Sequence, residues 1–136
     1  MPTSISEPSA LRCVGYGDTA REFARAYIAA GAAVIGTRRR IESTPPPQGV
    51  ELRAFTRGQK LDAATLDRAT HVLVSIPPDD AGDPVLAEHA ADLARAAPRI
   101  RWLGYLSTTV VYGDRQGGWV DESSELRPVG ARGQRR

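Results

Sequence analysis

The sequence of 136 residues has little cysteine, little lysine and no long apolar run. Its one cysteine, Cys13, has no disulfide partner in the chain, so a disulfide scaffold is excluded and a small buried hydrophobe is expected there. No apolar run approaches the length of a membrane span, and residues 1–9 lack the basic and apolar regions of a signal peptide. These absences predict a cytoplasmic protein without a membrane partner.

The charged residues exclude two further classes of function. The formal net charge is only +2 and the acidic residues are spread through the chain, which does not indicate a nucleic-acid partner. The basic side chains are nearly all arginine, because Lys60 is the only lysine. His71 and His89 lack a companion ligand at a usable spacing, so no metal site is predicted and both histidines are expected to be structural.

A glycine turn follows the first apolar run, Leu11 to Val14. Beyond the turn, apolar residues at helical spacing predict a helix that packs on a sheet and ends at Gly31. In a dinucleotide-binding βαβ unit, the first glycine permits the tight turn and the second lets the pyrophosphate approach the backbone. A small third residue then lets the helix pack on the strand. The turn therefore supplies six candidate cofactor-binding residues, Gly15, Tyr16, Gly17, Asp18, Thr19 and Ala20.

The second apolar strand, Ala33 to Thr37, ends in Arg38, Arg39 and Arg40, and no carboxylate stands at its tip. A carboxylate there would accept a hydrogen bond from the ribose 2′-hydroxyl of NAD, whereas arginines bind the 2′-phosphate of NADP. The pattern favours NADP over NAD, with Thr37 and the three arginines as candidate ligands. The alternative is that the arginines form only a solvated loop.

The rest of the chain alternates strands with helical connections. Three further strands are predicted at Glu51–Phe55, His71–Ile76 and Trp102–Leu106, and residues 42–49 are expected to form a proline-rich surface loop. A helical turn at Leu61–Leu66 and a helix from Pro84 to Pro98, capped by Asp83, connect them. The buried face of that helix is predicted to contain Val85, Leu86, His89, Ala90, Leu93 and Ala97. This alternation predicts an α/β fold, a Rossmann-type doubly wound parallel sheet of about five strands in order 3-2-1-4-5.

The fifth strand runs into a hydroxyl-rich stretch, Ser107-Thr108-Thr109, then Val111-Tyr112-Gly113 and, further on, Glu122. Together with the glycine turn, this resembles the extended, atypical NAD(P)-dependent epimerase/dehydratase branch of the short-chain dehydrogenase/reductase superfamily. The resemblance implies that Thr108, or else Ser107, orients the oxygen of a carbonyl or nucleotide-sugar-like substrate. It also implies that Ser75, Ile76 and Pro77 line the nicotinamide side of the cofactor groove. The alternative for Thr108 is that its hydroxyl caps backbone groups at the strand end.

The sequence departs from that family at its general acid. The family uses a Tyr-x-x-x-Lys pair, but no tyrosine here is followed by lysine four positions on, and Arg132 and Arg136 stand at the expected place. Arginine keeps its proton, so Tyr112 is the remaining candidate acid. The sequence predicts an NADP-binding, oxidoreductase-like or epimerase-like protein with atypical or absent catalysis, or else a non-catalytic dinucleotide-binding sensor or remnant.

The expected domain is residues 10–128, with residues 1–9 and 129–136 disordered. The resemblance further implies that this domain is the cofactor-binding part of a longer enzyme, truncated before the substrate domain. An uncovered fifth strand would then favour a homodimer.

Overall fold

The computed structural model describes residues 9–136, so the disorder expected for residues 1–8 lies outside the described residues. Ser9 is buried, and its carbonyl oxygen accepts from the Ala33 N–H at 3.1 Å. One parallel sheet contains strands β1 (Ala10–Val14), β2 (Ala33–Arg38), β3 (Val50–Ala54), β4 (His71–Val74) and β5 (Trp102–Tyr105). The strand order is β3-β2-β1-β4-β5, which confirms the predicted Rossmann-type sheet.

The helices of the described chain are α1 (Asp18–Ala29), α2 (Ala63–Asp67), α3 (Pro84–Ala96) and α4 (Gly130–Gln134), with a 3₁₀ turn at Thr109–Tyr112. In residues 9–136 no helix is long and apolar enough to cross a membrane.

The two faces of the sheet carry separate apolar clusters. Leu11 and Cys13 of β1 pack with Ala20 and Ala24 of α1, and the small alanines let the helix lie close to the strand. Burial raises the pKa of the Cys13 thiol to about 11, in agreement with its expected place in the core. On the other face Val14 packs with a second cluster, Phe55, Leu61, Ala69, Val72, Val74 and Val85.

The buried face of α3 differs from the predicted one. Asp92 and Ala96 are buried, whereas Leu86 is 55% exposed and Ala90 and Ala97 are exposed. The reason is a polar anchor, in which His89 Nε2 accepts from the Leu61 N–H at 3.1 Å and Nδ1–H donates to Asp92 at 2.8 Å. These bonds turn a polar side of the helix toward the core, and a pattern that counts only apolar residues does not detect them.

The carboxyl-terminal residues also differ from expectation, because the stretch 129–136 contains α4 where disorder was expected. Gly133 is buried, and an added Cβ there would lie 3.2 Å from Val110 and 3.3 Å from Pro128. The missing side chain thus lets α4 pack on the 3₁₀ turn. Arg136 donates to the Leu106 carbonyl oxygen and lies over the Tyr105 ring, 5.5 Å from its centroid.

Candidate dinucleotide crevice

A crevice of about 1300 Å³ opens where β1 to β4 end. The carboxyl ends of strands in an open parallel sheet are where such folds bind ligands. Ten of the predicted cofactor residues line it, Gly15, Tyr16, Gly17, Thr37, Arg38, Arg39, Arg40, Ser75, Ile76 and Pro77. Six residues that sequence reasoning missed line it as well, Glu42, Phe55, Thr56, Arg57, Asp79 and Pro84.

The glycine turn is fixed by hydrogen bonds to both neighbouring strand ends. The Gly15 N–H donates to Thr37 Oγ1 at 2.8 Å, and Ser75 Oγ donates to the Gly15 carbonyl oxygen at 2.7 Å. The Tyr16 N–H donates to the Thr37 carbonyl oxygen at 2.7 Å. Gly15 has φ +95°, and a Cβ there would lie 2.6 Å from Ser75 Oγ, so only glycine fits. Thr37 and Ser75 therefore shape the turn as well as line the crevice.

Gly36 is a structural residue that the sequence reasoning did not single out. A Cβ at Gly36 would lie 2.5 Å from the ring of Tyr16, which is only 4% exposed. The absence of a side chain in β2 thus makes room for the tyrosine of the glycine turn. A glycine inside a strand is a signal for such a close approach.

Gly17 is the N-cap of α1 and leaves the helix end open toward the crevice. No side chain caps this end, and a Cβ at Gly17 would meet no described atom within 4 Å. The first intrahelical acceptor is the Gly17 carbonyl oxygen, which binds the Arg21 N–H at 2.9 Å. The amides of residues 18–20 therefore have no acceptor within the helix, and with the positive end of the helix dipole they suit an anion.

The side chains of residues 18–20 do not line this crevice. Asp18 is exposed and pairs with Arg21 at 3.1 Å, Thr19 is exposed, and Ala20 is buried between α1 and the sheet. Residues 18–20 can therefore contact a cofactor only through their backbone amides.

Two of the three arginine side chains at the end of β2 have no partner among residues 9–136. Arg38 is half-buried, and its Nε donates to the Tyr16 carbonyl oxygen at 3.4 Å. Arg39 and Arg40 are exposed and make no hydrogen bond or ion pair with residues 9–136. Glu42 lines the same wall, so a carboxylate lies near the arginines although none stands at the strand tip.

An ion pair joins the segments that follow β3 and β4. Arg57 Nη2 donates to Asp79 Oδ1 at 2.7 Å and to the Gly82 carbonyl oxygen at 3.0 Å, and its Nε donates to Asp79 Oδ2 at 3.2 Å. These bonds from Arg57 hold the pKa of the Asp79 carboxyl below its usual range. The position of Arg57 just after a strand was a signal that could have placed it at the crevice. The position of Asp79 in the sequence gave no such signal, because its contact with Arg57 depends on the paths of the segments that follow β3 and β4.

The predicted catalytic residues are not among those that line the crevice. Thr108 Oγ1 accepts from the Val110 N–H at 3.4 Å and caps the 3₁₀ turn, which is the alternative role considered for it. Ser107 is exposed, and Tyr112 is half-buried at the end of the same turn. The structure therefore brings ten of the predicted cofactor residues together at one cavity but leaves Ser107, Thr108 and Tyr112 outside it.

No protein-family model matches the chain, and no curated protein matches it either. Several solved structures are similar to it. A functionally unknown conserved protein from Silicibacter pomeroyi is 42% identical with a TM-score of 0.79, and the match covers 94% of this chain and 45% of that one. A putative NAD-dependent epimerase/dehydratase from Methylobacillus flagellatus is 24% identical with a TM-score of 0.72, covering 95% and 48%.

The Bordetella bronchiseptica enzyme WbmG, solved in complex with NAD and UDP, is 21% identical with a TM-score of 0.62, and the match covers 95% of this chain and 46% of WbmG. The chain thus spans a little under half the length of each of these three proteins. The chain thus has the same fold as one part of a putative NAD-dependent epimerase/dehydratase and of an enzyme solved with NAD, in agreement with the predicted resemblance.

Proposed function

We propose that this chain is the cofactor-binding part of an epimerase-like or oxidoreductase-like protein and binds NADP in preference to NAD. The observation that carries the proposal is the uncapped N-terminus of α1 at Gly17, which opens on the crevice. The pyrophosphate would lie against Gly17 and the amides of residues 18–20. A fold neighbour solved with NAD, WbmG, supports a nicotinamide dinucleotide as the ligand class.

The preference for NADP rests on the charge beside β2. Arg39 and Arg40 line the crevice without a partner in the described chain, and Arg38 lies next to them. A 2′-phosphate would meet three guanidinium groups and one carboxylate, Glu42, so the local balance remains positive. Ser75, Ile76 and Pro77 would then line the nicotinamide side, as the resemblance implies.

We further propose that the described chain alone does not reduce or epimerise a substrate. The family's tyrosine and lysine are replaced, and the Thr108 hydroxyl caps the backbone. Arg132 and Arg136 keep their protons at neutral pH and cannot act as general acids. A non-catalytic dinucleotide sensor is the second candidate function, and the same observations favour it.

The substrate, the assembly and the location are also proposals. A small carbonyl compound or a nucleotide sugar is the proposed substrate class of the whole protein, and the UDP in WbmG supports it. The exposed aromatic residues of β5 support a homodimer. The lack of a long apolar run supports the proposed cytoplasmic location.

Calorimetric titration with NADPH and NADH tests cofactor binding. We expect NADPH to bind about tenfold more tightly or better, because a charge-assisted arginine–phosphate interaction contributes on the order of 1.5–3 kcal/mol. Gly17→Val should abolish binding of both cofactors, since its side chain fills the space of the pyrophosphate. Ala29→Val, an exposed change on the same helix, is the matched control and should bind normally.

Equal affinity for NADPH and NADH would refute the proposed preference for NADP but not the proposal that the crevice binds a dinucleotide. Normal binding by Gly17→Val would refute the proposal that the crevice is the dinucleotide site. Turnover is followed with saturating NADPH and a panel of ketones, aldehydes and nucleotide-sugar ketones. Robust NADPH oxidation that Thr108→Ala removes would show that the chain is an enzyme in its own right.

A further inference from the structure

Arg12 is a charged residue at the centre of the sheet, outside the dinucleotide crevice. It lies in β1 next to Leu11 and Cys13 and is 5% exposed. In the parallel register it aligns with Ile35 of β2 and Val72 of β4. Strands of a parallel sheet are expected to be apolar on both faces, and a buried guanidinium is costly unless its charge is balanced.

The hydrogen bonds of Arg12 do not balance that charge. Its Nε donates to the Thr65 carbonyl oxygen at 2.7 Å, and Nη1 donates to the carbonyl oxygens of Leu11 and Ala33 at 3.2 and 3.3 Å. All three acceptors are neutral, and Arg12 forms no ion pair with residues 9–136. Burial, and then repulsion by Arg53 and Arg68, lower the pKa of Arg12, while attraction by Glu51 raises it by less. Glu51 therefore offsets part of the positive charge of this site, but it forms no ion pair with Arg12 and is already bonded to Arg53.

The remaining nitrogen of Arg12, Nη2, has no acceptor among the described residues. Among residues 9–136, every fully buried side-chain nitrogen or oxygen has a hydrogen-bond partner. Because Nη2 has none, it is not fully buried and retains some exposure to solvent. Arg12 lines a cavity of about 320 Å³ on the side of the sheet where α2 lies. The short helix α2 contributes Ala64 and Thr65 to the lining of this cavity.

Two more arginines line the same cavity. Arg53 is already engaged, because Nε donates to Glu51 at 2.7 Å and Nη1 donates to Thr65 Oγ1 at 2.5 Å. Arg68, at the end of α2, is exposed, and its side chain makes no hydrogen bond or ion pair with any residue that the structure describes.

The carboxylates of this cavity, Glu51 and Asp62, already have donors. Glu51 accepts from Arg53, and Asp62 accepts from the Ala64 N–H at 3.0 Å. Arg12 and Arg68 thus present two guanidinium groups that no described carboxylate pairs.

We propose that this cavity binds a small oxyanion, a phosphate or a carboxylate, through Arg12 and Arg68 with Arg53 beside them. Both kinds of anion offer oxygen pairs that match the planar fork of a guanidinium. The cavity shares no lining residue with the dinucleotide crevice, which lies at the carboxyl ends of the strands. A bound anion would neutralise Arg12 and bridge α2 to β1, so it should also stabilise the folded chain.

Inorganic phosphate and succinate, titrated separately at constant ionic strength, test the proposal and distinguish the two kinds of anion. Binding is measured by calorimetry and by the ¹H–¹⁵N signals of the arginine Nε groups. We expect at least one anion to bind and to shift the Arg12 signal. Arg68→Gln should weaken that binding by about fivefold or more, because a charge-assisted hydrogen bond is lost. Arg12→Lys retains the charge but not the fork and should weaken it as well.

Arg39→Gln is the matched control, because Arg39 is an exposed arginine of the dinucleotide crevice. Binding that survives Arg39→Gln and is lost in Arg68→Gln supports the new site. Binding that survives Arg68→Gln and is lost in Arg39→Gln places the anion in the crevice and overturns the proposal. Absence of heat and of any arginine shift with both anions overturns it too. Arg68 is exposed, so its variant should fold even if Arg12→Lys does not.

Discussion

The centre and the edge of the sheet differ sharply in burial. Val72, Leu73 and Val74 of β4 are at most 4% exposed, whereas Leu103 and Tyr105 of the neighbouring β5 are 51% and 42% exposed. The glycine turn joins the central strands through Thr37 and Ser75. The side chains of the edge strand β5 make a Phe23–Trp102 ring stack at 5.1 Å, a Tyr105–Asp83 hydrogen bond at 2.9 Å and a contact between the Tyr105 ring and Arg136. The proposed cofactor residues thus lie at the ends of the buried central strands, and the predicted catalytic residues follow the exposed strand β5.

The largest expected contrast comes from Leu73→Ala and Leu103→Ala, the same substitution in adjacent strands. Leu73→Ala should lower the free energy of unfolding by about 2–5 kcal/mol, because it leaves a cavity in the core. Leu103→Ala should cost less than about 1 kcal/mol, since half of that side chain is already in water. Urea denaturation of both variants measures the difference. Equal losses would mean that β5 is covered in solution, for example by a second copy of the chain.

Two glycines give the next contrast. Gly15→Ala should destabilise the chain by about 1–3 kcal/mol, because φ is +95° and the new Cβ would overlap Ser75. At Gly104 a Cβ would overlap the Trp102 ring, but Trp102 is 39% exposed and can move. Gly104→Ala should therefore cost less than Gly15→Ala in thermal unfolding. A larger loss at Gly104 would show that the ring stack on β5 is as rigid as the glycine turn.

The central features could be predicted from the sequence because they depend on short patterns. The strand order follows from alternating elements, and the crevice follows from Gly15, Gly17 and the arginines after β2. The missed features depend on contacts between distant segments, as when Arg57 binds Asp79 or His89 binds the Leu61 amide. Thr108 shows the same limit, since a hydroxyl at a strand end can bind a substrate or the backbone. The sequence pattern is the same in both cases.

The pH dependence of stability tests the polar anchor between α3 and the core. The hydrogen bond from His89, and then that from Arg95, hold the pKa of Asp92 below its ordinary value. A carboxyl group whose pKa is lower in the folded than in the unfolded chain stabilises the fold at pH values above its pKa in the unfolded chain, about 3.9. This stabilisation is lost as the pH falls through the pKa of the group in the folded chain. Asp92→Asn should therefore lower stability at pH 7 and flatten the acid limb of the stability profile.

Denaturation between pH 3 and pH 8 measures that profile, with Glu22→Gln as the control because Glu22 forms an exposed ion pair with Arg25. The control should keep the acid limb of the parent chain. An unchanged limb in Asp92→Asn would mean that other carboxyls set the acid stability and that the His89–Asp92 contact does not anchor α3.

The smallest expected effect lies at the edge itself. Tyr105→Phe removes the hydroxyl that donates to Asp83, the residue that caps α3, but leaves the ring and the cap bonds to Val85 and Leu86 in place. Because this hydrogen bond is exposed and competes with water, its loss should cost at most about 1 kcal/mol. Urea denaturation is sufficient to measure it, with Tyr112→Phe as the matched control. A loss well above that value would show that β5 is joined to α3 as firmly as the central strands are joined to the glycine turn, and the contrast between centre and edge would then be one of exposure alone.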